Sequence, residues 1–257
     1  VADGILGSAL GGALFALAAF APFGFDAATF ALAALIMSFN SGASSSPPRE
    51  VQAPPMWIRI WRGMVWMWQD PLLRRLALIS IVLGGASMMW SAVFVLFATQ
   101  ELGLSATGFG VLGVFASLGG LLGSAAASKL ARRPLGGTLA AAAMTSGFAL
   151  VWMSTTSSTL LVAFLLMIGT AGVLVWNVLT MALRQRFIPD DLLGRVSAGY
   201  RFFVQLAMPL GAAAGGLIAH ASNSRATLLI AGGLLILMSA AIPGAIRSSL
   251  RRHDQMK

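Results

Sequence analysis

The sequence predicts an all-α polytopic membrane protein of about eight transmembrane helices. Three observations carry that prediction. Of the 257 residues, 58% are hydrophobic and only 10% charged, where a soluble domain carries about 25% charged residues. The apolar residues gather into runs of about 20, the length of helix that crosses ~30 Å of hydrocarbon. The charged residues fall almost entirely between those runs. Backbone polar groups in lipid must be satisfied within a helix or a closed barrel, and the alternation of barrel strands is absent, so the runs are helices.

Two runs open the chain. Ile5 to Pro22 is long enough to span, whereas Ala27 to Phe39 is short and needs its flanks or a tilt to cross. Ser41 to Pro55 is a Ser/Pro-rich flexible linker that separates these two runs from six others. Met56 to Trp68 follows. A helical wheel puts Trp57, Ile60, Trp61, Met64 and Trp68 on one face and Arg59, Arg62 and Gly63 on the other. Tryptophan with arginine suits the headgroup boundary and predicts a helix lying in the interface. The same pattern also fits a loop helix packed on protein. Asp70-Pro71 then caps the next span, with proline in its first turn. The six remaining spans are Leu76 to Ala98, Gly108 to Ser128, Leu135 to Met153, Leu160 to Leu183, Val196 to Ala219 and Ala226 to Ile246.

The positive charge sets an orientation. If the spans alternate, every one of the 17 lysines and arginines except Arg225 falls on one side of the membrane. The positive-inside rule makes that side, with the linker and the C-terminus, cytoplasmic. The net charge of +9 is then a collar facing the lipid headgroups rather than a nucleic-acid surface. There is no cysteine, and His220 and His253 are the only histidines, so no metal site or cofactor is expected. The eight acids are scattered, with Asp190 and Asp191 the only adjacent pair, which argues against a polytopic membrane enzyme. The chain opens with Val1 and carries no signal-peptide pattern, so a fragment or a processed product is expected.

Small residues recur four apart: Gly7 with Gly11, Gly119 with Gly123, and Gly211 with Gly215. That spacing lets helix backbones approach closely in lipid. No ionisable side chain lies at the middle of the last six spans; Asp3, Asp26 and Glu101 lie near span ends. Milder polar groups do occur there: Thr170, Asn177 and Thr180 on one face of one span, and Gln205 near the middle of the next.

The segment Arg184 to Phe203 reads RQRFIPDDLLGRVSAGYRFF. Alone it is a capped turn, with Asp190 and Asp191 at a helix start where carboxylates are favoured and where Arg195 or Arg186 can pair with them. As a string it resembles the loop before the eleventh helix of major facilitator superfamily transporters, in particular their macrolide and siderophore exporter-like branch. The matching residues are Gln185, Pro189, Asp190, Gly194, Arg195, Val196 and Ser197, continued by Pro209-Leu210-Gly211 and Gly215-Gly216-Leu217. Gly7 to Pro22, then Phe25-Asp26-Ala27 and Phe30, resemble the family's fifth and sixth helices, and the last six spans resemble its second half.

The resemblance implies a partial major facilitator fold. Residues 1–40 would be the last two helices of the N-terminal bundle, 41–70 the cytoplasmic linker, 71–247 the complete C-terminal six-helix bundle and 248–257 a cytoplasmic basic tail. It implies a multi-pass protein of the bacterial inner membrane. The implied function is secondary-active, proton-coupled efflux, an antiport, of a small, partly apolar molecule such as a drug or a siderophore. With the family's first four helices missing, the chain by itself is expected not to transport. The loop Gly123 to Pro134 carries Lys129, Arg132 and Arg133 but lacks the acid that often precedes the family's basic cluster. The family's central cavity would be lined here by Trp90, Phe94, Trp176, Asn177 and Gln205; the alternative reading of the same residues is interhelical hydrogen bonding and core aromatics.

Overall fold

The computed structural model describes residues 21–39 and 56–255. The chain divides into two units, residues 1–55 and 56–257. In the first, helix α1 runs over Ala21–Phe39, starting earlier than expected, and its apolar stretch Gly24–Phe39 is short for a span. Thr29 and Ser38 donate their hydroxyls back to the carbonyls of Asp26 and Leu35, at 2.7 and 2.6 Å. Gly7, Gly11, the expected span up to Phe20, and the Ser/Pro-rich linker lie outside the described residues.

The second unit consists of α2 (Met56–Gln69), α3 (Pro71–Leu96), α4 (Ala106–Leu130), α5 (Leu135–Thr155), α6 (Thr159–Phe187), α7 (Asp190–Ala221) and α8 (Ser224–Gln255). Helices α3 to α8 are each long and apolar enough to cross a membrane. Their starts follow from capping chemistry. The Asp70 carboxylate accepts from the backbone N–H groups of Leu72 and Leu73, both at 2.9 Å, with Pro71 at the first helical position. Ser105 and Ser158 do the same for α4 and α6 through Gly108 and Leu161. Helix α3 ends in a wide π-helical turn over Phe97–Glu101, and Gly103 reverses the chain with φ +63°.

Two helices run beyond their expected ends. Helix α6 continues past Leu183 to Phe187, so Arg184 and Arg186 stand in its last turn rather than in a loop. Helix α8 continues past Ile246 to Gln255. Both extensions are favoured by basic residues near a helix C-terminus, where the macrodipole attracts cations. Helix α2 packs on α7 and α3: Met67 is fully buried, Trp68 meets Phe203 edge-on at 5.3 Å, and Gly63 lies against Arg195. The wheel placed Gly63 on the face away from the apolar residues, but its lack of a side chain is what lets Arg195 approach. Trp61 stays exposed.

The spans pair by close backbone approach, mostly between helices that are not consecutive: α5 with α8, α3 with α7, and α4 with α6, with α5 also against α6 and α3 against α8. On α7, a side chain added at Gly211 or Gly215 would overlap the carbonyls of Gly85 and Met89, themselves four apart on α3. On α4, Gly119 and Gly123 meet Met167 and Ala171 of α6 in the same way. The four-residue spacing therefore marks real crossings at both pairs inside the described residues. The α5 crossings add hydrogen bonds: Ser146 donates to the Gly169 carbonyl of α6 at 2.8 Å.

Arg225 closes the end of the bundle opposite the basic loops. Its Nε donates to Glu101 at 2.9 Å, Nη1 to the carbonyls of Ser154 and Thr156, both at 3.0 Å, and Nη2 to Ser157 at 2.9 Å. One side chain at the start of α8 thus ties the end of α3 to the α5–α6 turn.

Gly215→Ala is expected to cost about 1–3 kcal/mol, because the α3 backbone must move to admit a methyl group. Gly216→Ala meets open space and is expected to be neutral or to gain up to about 1 kcal/mol from helix propensity. Thermal unfolding in detergent, followed by tryptophan fluorescence, separates the two; equal midpoints would refute the crossing. Arg225→Ala is expected to cost about 2 kcal/mol, less than its bonds would give singly because the side chain is 25% exposed. Arg225→Lys should recover less than half of the lost midpoint, since one ammonium cannot serve both carbonyls and Glu101.

Candidate functional site

Helices α6 and α7 barely touch, although they are consecutive and joined by a tight turn at Pro189. The gap between them is a cleft of about 720 Å³. From α6 it is lined by Asn177, Val178, Met181, Arg184 and Gln185, and from α7 by Tyr200, Arg201, Val204 and Gln205. The polar positions follow a helical stripe: Asn177, Thr180 and Arg184 recur at three- and four-residue steps on α6.

Behind the cleft lies an inner cavity of about 180 Å³ that reaches Ser80 and Ser87 of α3, Ser146 of α5, and Trp176, Asn177 and Thr180 of α6. Asn177, Arg184, Tyr200 and Val204 belong to both spaces and form the passage between them. The hydroxyls here are satisfied locally. Thr180 donates to the Trp176 carbonyl at 2.8 Å, and the Tyr200 hydroxyl donates to Ser80 at 2.5 Å, joining α7 to α3. The Arg184 guanidinium lies 3.9 Å above the centre of the Tyr200 ring.

A second groove, of about 670 Å³, runs between α4, α5 and α6. Its walls are Leu122, Ala126, Ala141, Ile168 and Val175, with Thr138, Thr145 and Arg133 as its polar members. An apolar groove on a membrane bundle suits a lipid tail. A site that orients a solute needs a few convergent polar groups within an apolar wall, and the α6–α7 cleft has them.

Of the five residues expected to line a cavity, Asn177 and Gln205 face each other across the cleft, and Trp176 and Asn177 line the inner cavity. Trp90 lines a separate small void of about 30 Å³ with Thr170. Phe94 is buried in an aromatic cluster, 5.3 Å from Trp90, 6.2 Å from Phe97 and 5.8 Å from Phe109 between ring centres. At the turn, Gln185 lines the cleft, Pro189 and Gly194 are exposed, Asp190 opens α7, and Arg195 packs against α2. Lys129, Arg132 and Arg133 stand exposed at the α4–α5 turn. Sequence reasoning missed Arg184, Tyr200 and Ser80. Charge patterning puts Arg184 in a loop; the structure buries it to 6% exposure. The stripe from Asn177 through Thr180 to Arg184 was the signal that would have found it.

Six membrane-length helices, with a polar-lined cavity and an open cleft among them, define a polytopic helical membrane protein. The family model of the Major Facilitator Superfamily matches residues 2–212, and the chain belongs to that family of membrane transporters. No curated protein and no solved structure matches it.

Tyr200→Phe keeps the ring beneath Arg184 and removes the bond to Ser80, with an expected cost of about 1 kcal/mol. In a double-mutant cycle, Ser80→Ala should then add little to Tyr200→Phe. Fully additive losses in thermal unfolding would show that the two hydroxyls do not interact.

Proposed function

We propose that the chain is a secondary-active exporter of the macrolide and siderophore exporter-like branch, an antiporter that moves a small, partly apolar molecule such as a drug or a siderophore against protons. The observation that carries this reading is the α6–α7 cleft, where Asn177 and Gln205 stand on facing walls built otherwise of Val178, Met181 and Val204. Apolar walls take up the body of such a solute, and the two amides fix its orientation. Trp176 lines the inner cavity, and Trp90 and Phe94 pack edge-on against each other on α3.

In this reading the protein lies in the bacterial inner membrane with the α4–α5 and α6–α7 turns and the C-terminus in the cytoplasm. The concentration of lysine and arginine at that end supports the orientation. Gln185, which also lines the cleft, with Pro189, Asp190, Gly194 and Arg195 at one turn, and Lys129, Arg132 and Arg133 at the other, bear on the change between conformations. Sites in such transporters sit near the midplane, at the junction of two rocking bundles.

The test is the chain reconstituted in liposomes with a pH gradient, presented with a panel of apolar solutes that includes hydrophobic dyes and siderophores. Saturable binding is expected; gradient-dependent movement would overturn the expectation that the chain by itself does not transport. Asn177→Ala and Gln205→Ala should each change the relative affinities across the panel by roughly threefold to tenfold, as one lost hydrogen bond does, with little loss of protein from the membrane. If both variants keep the wild-type ranking, the two amides are structural and the cleft is not the site.

A further inference from the structure

The guanidinium of Arg184 has work that the fold does not supply. Arginine stays protonated in proteins and offers five N–H donors. Here the side chain is only 6% exposed, and its one hydrogen-bond partner is the Met181 thioether, 3.4 Å from Nη2. A thioether is a weak acceptor. Nε and Nη1 are buried and have no partner, and they are the only buried side-chain nitrogens or oxygens among the described residues in that condition. The Tyr200 ring lies beneath the guanidinium as a cation–π contact, not as a counter-ion. No acid of the described residues pairs with Arg184; the one ion pair among them is Arg225 with Glu101. Across the cleft the charged lining residue is another cation, Arg201.

A permanently charged group, buried without a counter-ion, is among the costliest arrangements in a protein. It is kept where an anion completes it. Arg184 lines both the cleft and the inner cavity, so an anion has a path to it. The inner cavity, of about 180 Å³, holds a small organic anion and not an extended one. Beside Arg184 it presents Asn177, Thr180 and the Trp176 ring, which suit a carboxylate carried on an apolar or aromatic body.

The geometry points to Arg184 as the anion-recognition residue of the cleft: the solute it takes is a monocarboxylate with an apolar body, whose carboxylate completes the unpartnered Nε and Nη1 donors. This rests on the transporter reading for its place in a solute path, but the recognition itself is a binding property and is tested as one.

The experiment measures binding to the purified full chain in lipid nanodiscs, by tryptophan fluorescence, with Trp176 at the site as reporter. The probes are benzoate and its uncharged counterpart benzamide, with acetate and acetamide as the smaller pair. Benzoate is expected to bind saturably and at least roughly tenfold more tightly than benzamide, as a hydrogen-bonded charge pair does over a neutral one. Arg184→Gln should bring benzoate down to the level of benzamide. Arg184→Lys keeps the charge but not the planar fork, and should retain a preference reduced by several fold; it stands as the second variant should the glutamine form not fold. Equal binding of acid and amide, a preference that survives Arg184→Gln, or no saturable carboxylate binding would each overturn the inference. The last result is also what an acidic side chain of the protein already seated on Arg184 would give. Carboxylate binding with a solute ranking that Asn177→Ala and Gln205→Ala leave unchanged would keep this inference and sink the exporter reading of the cleft; a ranking of neutral solutes that both variants alter, without charge preference, would do the reverse.

Discussion

Helices in a bilayer gain nothing by hiding leucine from a solvent as apolar as leucine, so their association rests on how closely their backbones approach. That constraint organises this protein. The crossings α3–α7 and α4–α6 are both made at glycines four residues apart, and each sets bare backbone against a carbonyl of the partner helix. Between α5 and α8 the same role falls to Gly147 and Gly232, which lie against each other's helices. Much of the buried core is alanine, as at Ala77, Ala127 and Ala231, all without exposure. Large side chains turn outward instead: Leu210 and Leu217 are each 70% uncovered by protein, a surface that only hydrocarbon accommodates without cost.

The cleft follows from the same geometry. Helix α7 is held to α3 by Gly211 and Gly215, and α6 is held to α4 and α5 by Ala171, Gly172 and Ser146. Two consecutive helices with their closest contacts on opposite sides must part from one another. What opens between them is lined by the residues that neither crossing uses. The polar groups inside the bundle are otherwise treated strictly. Thr227 bonds to the Gly215 carbonyl and Ser239 to that of Ile236, so hydroxyls in the interior either join helices or fold back on their own. Against that background the guanidinium of Arg184 stands out by contrast.

The spans, the two glycine crossings and the Asp70 cap were legible in the sequence because each is a local pattern: run length, four-residue spacing, and a carboxylate before proline. The lining of the cavity was legible only in part. Asn177, Trp176 and Gln205 line the cleft or the inner cavity, whereas Trp90 lines another void and Phe94 packs in an aromatic cluster with Phe97 and Phe109. Arg184 was hidden by the rule that found the spans. Counting charges to locate loops assigns every arginine beside an apolar run to water, whereas a further turn of helix carried this one inside. Gly63 was hidden for a similar reason, since a helical wheel sorts residues by polarity and cannot see that an absent side chain makes room for a neighbour.

The pairing of Arg225 has a consequence for the electrostatic profile along the bundle. At that end the one arginine is neutralised by Glu101 and its remaining donors are spent on carbonyls and a serine. The opposite end bears Lys129, Arg132, Arg133, Arg186 and Arg201, all exposed. The potential is therefore graded from one mouth to the other, positive where the cleft opens beside Arg201 and close to neutral at the far rim. A field of that form concentrates anions at one end and offers them no electrostatic trap at the other, so the described bundle is polarised along its axis.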